Sequence, residues 1–169
     1  DLARSLKKRG KIRHFGVSTY SMERAVQAVE TEGIDLIQLP FNVLDQRAAV
    51  SGLLSRAERS GKRLFLRSLY LQGLLLVPPD DLPPAMAFAG PALERFHAFV
   101  RRAGLPPQLA AVGFVRSRAP SGFCVFGAET VEQVRDSIRT FRAAVGVDLP
   151  DMSSLAVSEA RITNPSLWP

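Results

Sequence analysis

The nine residues Val125-Phe126-Gly127-Ala128-Glu129-Thr130-Val131-Glu132-Gln133 indicate how this chain folds. The apolar segment 123–126 predicts a short strand that ends at a glycine turn. Thr130 and Gln133 have the spacing of a capping box, which predicts that a helix begins directly after the turn. Such a helix N-terminus can hold a phosphate through its backbone N–H groups and its dipole. An ordinary βα turn without a ligand has the same pattern, so the flanking sequence decides between the two interpretations.

The sequence before this turn alternates between short apolar segments and amphipathic ones. Apolar runs bounded by turn residues predict strands at 11–17, 34–40, 64–69 and 123–126. Helical spacing with cap and stop residues predicts helices over 2–9, from Ser21 to Gly33, from Asp45 or Gln46 to Gly61, up to Gly104, over 108–115 and from Thr130 onwards. The proline-rich passage 77–91 is predicted to be a loop packed through Met86 and Phe88, and the tail from Gly146 to be irregular.

The predicted helices carry apolar stripes that we expect to face a core. The stripes are Ala25, Val26 and Val29; Val50, Leu53, Leu54 and Ala57; Leu93, Phe96, His97 and Val100; and Val131, Val134, Ile138 and Phe141. Strands that alternate with helices predict an α/β fold with a parallel sheet. Ligands of such sheets bind at the carboxyl ends of the strands. The polar residues there are Ser18, Thr19, Gln38, Arg67, Ser68 and those of the 127–130 turn.

Composition bounds the class of protein. With 169 residues and 46% hydrophobic content, the chain predicts a single domain over 1–169. The net charge of +6 raises the possibility of nucleic acid. However, most basic residues have acidic neighbours, and the cluster at 7–13 lacks aromatic residues that alternate with it to stack bases. We therefore expect no nucleic-acid partner, and a basic surface around an anionic ligand fits better.

The single cysteine, Cys124, excludes an internal disulfide and a cysteine-based zinc cluster, and the sequence has no other metal-binding constellation. No run of 18 apolar residues is present, and the first residues lack the apolar core of a signal peptide. These features predict a cytoplasmic protein with no membrane partner.

Four segments, taken in order, resemble the C-terminal half of an aldo/keto reductase. They are 11–20 with Gly16-Val17-Ser18-Thr19-Tyr20, 36–42 with Gln38 and Asn42, 68–75 with Gln72-Gly73-Leu74-Leu75, and the 127–133 turn. Their order and spacing match strands five to eight of that family's (β/α)8 TIM barrel. The resemblance covers nearly the whole chain. It implies an NAD(P)-dependent oxidoreductase that acts on a small-molecule carbonyl substrate.

The resemblance also implies which residues bind the cofactor, NADP or NAD. Ser18, Thr19 and Gln38 match the residues that hydrogen-bond the nicotinamide carboxamide. Arg67 stands where an aromatic residue stacks on the nicotinamide. Ser68, Leu69, Gln72 and Gly73 match the loop over the pyrophosphate. The segment that holds the adenosine and its 2′-phosphate matches Gly127, Ala128, Glu129, Thr130, Gln133 and Ser137.

Four of these positions differ from the family's usual residues. Thr19 and Ser137 stand where Asn is common, and Arg67 replaces the aromatic residue. A guanidinium can stack on a ring or pair with a phosphate. Glu129 stands near the usual position of a basic residue and would repel a 2′-phosphate, so NADH is a real alternative to NADPH.

The family's catalytic Asp, Tyr, Lys and His come from the first four strands, which have no counterpart in this sequence. Tyr20 and Tyr70 lie in other segments, and His14 and His97 are expected to be structural, so no catalytic residue is assigned. The chain begins without Met inside a predicted helix, which favours a fragment whose N-terminal half is missing. Four strands would leave open edges and an exposed apolar face. The alternatives are pairing with a separate N-terminal half or with a second copy of the chain.

Three functions remain open at this point. The chain could supply the cofactor half of a carbonyl oxidoreductase, be a non-catalytic nucleotide-binding module, or be a structural half-barrel that dimerises. The carbonyl substrate has no signature in the sequence.

Overall fold

The computed structural model describes residues 2–169. The strands are β1 (Gly16–Ser18), β2 (Leu36–Pro40), β3 (Arg63–Arg67) and β4 (Phe123–Cys124). The α-helices are α1 (Leu2–Lys8), α2 (Met22–Glu30), α3 (Arg47–Val50), α4 (Leu53–Arg59), α5 (Gly90–Arg102), α6 (Pro107–Arg118), α7 (Val131–Ala143) and α8 (Ala160–Thr163). Short 3-10 helices lie at Leu74–Leu76, Pro79–Asp81, Pro84–Ala89, Ser153–Leu155 and Pro165–Leu167.

The four strands form one sheet in the order β1-β2-β3-β4, and every neighbouring pair is parallel. Each neighbour in the sheet is also the next strand in the sequence, and helices connect them. The predicted α/β fold with a parallel sheet is therefore confirmed. Within residues 2–169, β1 and β4 each pair with a strand on one side only. The sheet consequently has two open edges.

The two faces of the sheet differ in burial. Ile37, Leu39, Leu64 and Leu66 are buried in the hydrophobic core formed with the helices. Because side chains alternate along a strand, the residues between them lie on the opposite face. That face is more open: Phe65 stacks on Phe123 with ring centroids 4.9 Å apart, yet half of Phe123 (50%) remains exposed. We call this the open face of the sheet.

β1 begins later than predicted, at Gly16 instead of residue 11. The reason lies in Asp35, whose carboxylate accepts the Phe15 N–H at 2.6 Å and pairs with Lys7 at 2.5 Å. The Asp35 carboxylate thus accepts the Phe15 N–H in place of a main-chain carbonyl of the neighbouring strand, and the regular strand pairing begins only after it. From Gly16 onwards the strands approach closely, since a Cβ there would lie 2.2 Å from the Leu36 carbonyl oxygen. Glycine is required at this position.

The predicted helix over 45–61 is two helices in the structure. α3 ends at Val50, and α4 begins at Leu53 after Gly52, which has a φ of +71°. This break rotates the two halves out of a common stripe. Leu53 and Ala57 are buried as expected, but Val50 is 83% exposed, so its predicted core position was wrong.

α7 begins where the capping box predicts it, with Thr130 as N-cap. Its apolar stripe, however, is largely exposed: Val131 by 60%, Val134 by 46% and Ile138 by 46%, while Phe141 packs against the core. The predicted burial of the first three residues was therefore wrong. The physical reason is that no element within residues 2–169 covers this side of α7.

The remaining elements agree with the sequence more closely. Leu93, Phe96 and Val100 of α5 are buried, and Met86 and Phe88 pack against the core from the proline-rich passage. The passage and the tail contain short 3-10 helices that the composition did not predict. No helix in the described chain is long and apolar enough to cross a membrane.

Candidate functional site

The carboxyl ends of the strands bring several predicted residues into one row. In the register of the sheet, Ser18 lies opposite Gln38, and Gln38 lies opposite Phe65. Neither the Ser18 hydroxyl nor the Gln38 amide hydrogen-bonds another described residue. Both side chains therefore keep their donors and acceptors for a ligand on the open face.

Thr19 hydrogen-bonds the neighbouring backbone. Its N–H donates to the Gln38 carbonyl at 3.0 Å, and its Oγ1 accepts the Ser21 N–H at 2.9 Å. Ser21 in turn caps α2 by accepting the Arg24 N–H. Thr19 thus fixes the turn between β1 and α2, and one of its hydroxyl lone pairs is already occupied.

A buried polar network follows β2. Asn42 is fully buried, and its Oδ1 accepts the N–H groups of Leu44 and Asp45 at 2.9 Å each. Its Nδ2 donates to the Ser68 carbonyl at 3.0 Å, across to the loop after β3. The Asp45 carboxylate beneath it is held by Arg47 in a bidentate pair. The sequence predicts no role for Asn42, since its partner Ser68 is 26 residues away in the chain.

The loop after β3 has an unusual backbone. Ser68, Leu71 and Gln72 have φ values of 59°, 50° and 57°, and among the described residues they are the non-glycine positions with positive φ. Gly73 follows with a φ of 86°. Left-handed backbone at non-glycine residues costs about 1 to 3 kcal/mol each and concentrates at functional sites. Asn42 holds the first of these residues in place.

The side chains of this loop divide by exposure. Leu69 and Leu71 are buried in the core, and Gln72 is exposed. A ligand over the loop would therefore meet the main chain at Leu69 and the side chains of Ser68 and Gln72. The conformation of the loop depends on distant partners and could not be predicted from turn residues alone.

Arg67 ends β3 and points across the open face. Its guanidinium carbon lies 4.0 Å from the centre of the Tyr20 ring, and one of its nitrogens lies 3.4 Å from the Ser68 hydroxyl. Tyr20 follows β1, so this contact passes over the end of β2. The sequence predicts no role for Tyr20.

The turn at 127–130 opens α7 as predicted. Thr130 Oγ1 accepts the Gln133 N–H at 3.2 Å, and Gln133 Oε1 accepts the Glu129 N–H at 2.7 Å. Gly127, Ala128, Glu129 and Thr130 are all exposed. The capping box therefore occupies the Gln133 oxygen and leaves its amide nitrogen available.

A groove of about 380 Å³ lies between β4 and the exposed side of α7. Its lining is mostly apolar and brings the predicted residues Ala128 and Ser137 together; the other lining residues are Cys124, Phe126, Val134, Ile138, Phe141 and Arg142.

Burial keeps two weak acids near the sheet protonated. It raises the pKa of the Cys124 thiol to about 11 and that of the Tyr70 phenol to about 12. A thiol with such a pKa is a poor nucleophile at neutral pH. His97 lies with Nε2 3.1 Å from the Leu75 carbonyl, and His14 with Nε2 3.0 Å from an Arg63 nitrogen. No group of three or more His, Cys, Asp or Glu residues in the described part of the chain is arranged to hold a metal ion.

Comparison with known proteins identifies the family. The model of the aldo/keto reductase family matches residues 3–149. The chain belongs to the aldo/keto reductase family. A search of the curated proteins gave no match.

Solved structures of aldo-keto reductases share this fold. The apo form of aldo-keto reductase AKR11C1 from Bacillus halodurans superposes with a TM-score of 0.74 at 18% identity, over 92% of this chain and 55% of that one. Its holo form gives 0.72 at 19% identity, over 92% and 54%. The thermostable aldo-keto reductase Tm1743 gives 0.62 at 18% identity, over 90% and 52%. The chain thus spans about half the length of these structures.

Proposed function

We propose that this chain forms strands five to eight of an aldo/keto reductase barrel, as one domain, and supplies the cofactor-binding half of a carbonyl oxidoreductase. Three observations support a half-barrel, and the resemblance of the motifs to strands five to eight suggests which half it is. The strands follow one another in sequence order, as in one arc of a barrel, and the chain covers about half of each related structure. The side of the sheet that would face the barrel interior is the open one.

The observation that carries the cofactor assignment is the row of unengaged polar side chains at the strand ends. Ser18 and Gln38 lie in register and keep their hydrogen-bonding groups for a ligand. Beside them, the loop from Ser68 to Gly73 contains four residues with positive φ and is anchored at its start by the hydrogen bond from Asn42 to the Ser68 carbonyl. Backbone N–H groups presented in this way suit phosphate oxygens.

The residues present fit a nicotinamide dinucleotide. Ser18 and Gln38 would hold the carboxamide, and the Ser68–Gly73 loop the pyrophosphate. The 127–130 turn would hold the adenosine, and at Gly127 an added Cβ would meet no atom within 4 Å. When bound, the cofactor supplies a hydride to the carbonyl carbon.

The charge near the α7 N-terminus bears on which dinucleotide binds. Glu129 and Glu132 are exposed there, and the ion-pair partner of Glu132 is Arg135 on the same helix. The positive end of the helix dipole stabilises these two carboxylates, but their negative charge repels a 2′-phosphate. We therefore expect NADH to bind more tightly than NADPH, which a comparison of the two dissociation constants checks.

The proton that the carbonyl oxygen requires would come from outside this chain. Burial raises the pKa of Tyr70 and makes it a weaker acid, His97 contacts the Leu75 carbonyl, and His14 contacts Arg63 at the opposite end of the sheet from the strand ends. The complementary half of the barrel, or a second copy of this chain, would have to close the sheet. By itself the chain is expected to bind the cofactor without turnover.

Replacement of Gln38 tests the proposal. Gln38→Ala removes a side chain from the cofactor row, and the loss of one hydrogen bond predicts an NADH dissociation constant raised about tenfold. Gln27→Ala is the matched control because Gln27 is exposed on α2, away from the strand ends. Nicotinamide fluorescence titrations measure both. Equal NADH affinity in the two variants, or no binding to the unaltered chain, would refute the assignment.

A further inference from the structure

Arg67 and Tyr20 form a bridge over the cofactor row that the proposed function leaves unexplained. In the register, Ser18, Gln38 and Phe65 lie side by side. Tyr20 and Arg67 each lie two residues further along β1 and β3. Since β1 and β3 are separated by β2, the strands that carry them are about 10 Å apart. The 4.0 Å contact between guanidinium and ring therefore passes over the end of β2, where Arg67 lies opposite Pro40, two residues beyond Gln38.

The positive charge of Arg67 in this bridge has no counterion among the described residues. Among residues 2–169 the ion pairs involve other cations, and no carboxylate lies within salt-bridge distance of Arg67. Its side chain is nevertheless half-buried. Removing a cation from water without a partner is unfavourable. The ring of Tyr20 compensates part of that cost through a cation–π contact.

The contact with Tyr20 involves the guanidinium carbon of Arg67. The N–H groups of a guanidinium match the two oxygens of a carboxylate or phosphate. One nitrogen is 3.4 Å from Ser68 Oγ, a second group that can donate to an oxyanion. The backbone of Ser68 is itself fixed in the left-handed region by Asn42. Asn42 thus holds Ser68 in place beside Arg67.

We propose that Arg67, Tyr20 and Ser68 form an oxyanion-binding site at the mouth of the sheet. This inference rests on the proposed function for its biological meaning. The oxyanion would belong either to the pyrophosphate of the cofactor or to a carboxylate or phosphate on the carbonyl substrate. In the second case the substrate class is an acidic carbonyl compound.

Inorganic phosphate is a direct probe of this site. It would be titrated into the ¹⁵N-labelled chain at constant ionic strength, with the arginine Nε–H signals and the backbone amide signals of residues 67–73 followed by NMR, so that the Arg67→Gln variant keeps a readout. We expect a saturable shift of the Arg67 signal in the unaltered chain. Arg67→Gln should weaken phosphate binding at least tenfold, Tyr20→Leu several-fold, and Tyr20→Phe should leave it unchanged because the ring is kept.

Arg63→Gln is the matched control, because Arg63 lies on the same strand and the same face, at the opposite end. Preserved backbone spectra show that the variants fold. No saturable shift, or equal weakening by Arg63→Gln, would overturn the site. A repeat at saturating NADH separates the two sources. Displacement of phosphate assigns the oxyanion to the cofactor, and retained binding assigns it to the substrate.

Phosphate binding is measured without NADH, so its failure can be told from a failure of the cofactor assignment. Absence of the Arg67 shift together with intact NADH binding would refute only the oxyanion site. An intact Arg67 shift without NADH binding would refute the cofactor assignment and leave the oxyanion site standing.

Discussion

Asn42 links two strand ends through a single side chain. It makes three hydrogen bonds, two to the backbone that follows β2 and one to the Ser68 carbonyl. Ser68 belongs to the predicted site, while the Asn42 side chain itself is buried. Asn42 is therefore a positioning residue for the left-handed loop after β3.

Asn42→Ala should loosen that loop. Leaving buried backbone groups unsatisfied costs about 1 to 3 kcal/mol, and we expect a lower free energy of unfolding in urea together with weaker NADH binding. The control is Asn164→Ala, which removes a capping asparagine from the tail, where Asn164 accepts the Ser166 N–H. The control should lose some stability and no NADH affinity. Unchanged NADH affinity in the Asn42 variant would contradict this role.

At the scale of elements, the start of β1 depends on an ion pair. Asp35 accepts a hydrogen bond from Lys7, which is the main reason why its pKa lies below its ordinary value of 3.8, and the Phe15 N–H lowers that pKa further. A carboxylate with a lowered pKa in the folded state stabilises the fold above its unfolded pKa. This contribution disappears as the pH falls through the folded pKa.

Asp35→Asn should therefore destabilise the chain at about pH 7 and lose that effect at a pH below the lowered folded-state pKa of Asp35, where Asp35 is protonated in the unaltered chain as well. Urea unfolding at the two pH values measures the difference. Asp148→Asn serves as the control, since Asp148 is exposed and belongs to no ion pair in the described residues. A destabilisation by Asp35→Asn that persists at low pH would show that the carboxylate charge is not its cause.

Local signals in the sequence predicted most elements but not their surroundings. The α2 cap at Ser21 and the capping box at Thr130 act within one helical turn, so spacing alone revealed them. The loop after β3 could not be predicted because its conformation depends on Asn42, 26 residues away. The stripe of α7 was correctly predicted to be helical and apolar. Its burial was not, because burial depends on what packs against a helix.

At the scale of the molecule, the exposed side of α7 lies beside the sheet edge at β4, where the proposed barrel would continue. Val134 and Ile138 line the groove beside β4, which is one of the two open edges within the described chain. Exposed apolar surface of this kind favours association. Without a complementary half we expect the chain to self-associate through this side.

Val134→Lys should reduce that association because it introduces a charge into the groove. Val50→Lys is the matched control, since Val50 is 83% exposed and lies on α3, outside the groove. Sedimentation velocity over a range of concentrations measures both variants. A monomeric unaltered chain, or the same reduction in the two variants, would contradict an interface at α7.

The most direct measurement is hydrogen–deuterium exchange of the whole chain with and without NADH. Bound cofactor should slow exchange in the segments around Gln38, from Ser68 to Gly73 and from Gly127 to Gln133, because their N–H groups lie at the strand ends and the α7 N-terminus. The outer helix α5 should exchange at an unchanged rate. Slower exchange in those three segments would support a cofactor-binding half-barrel. Unchanged exchange everywhere, or protection confined to α5, would contradict it.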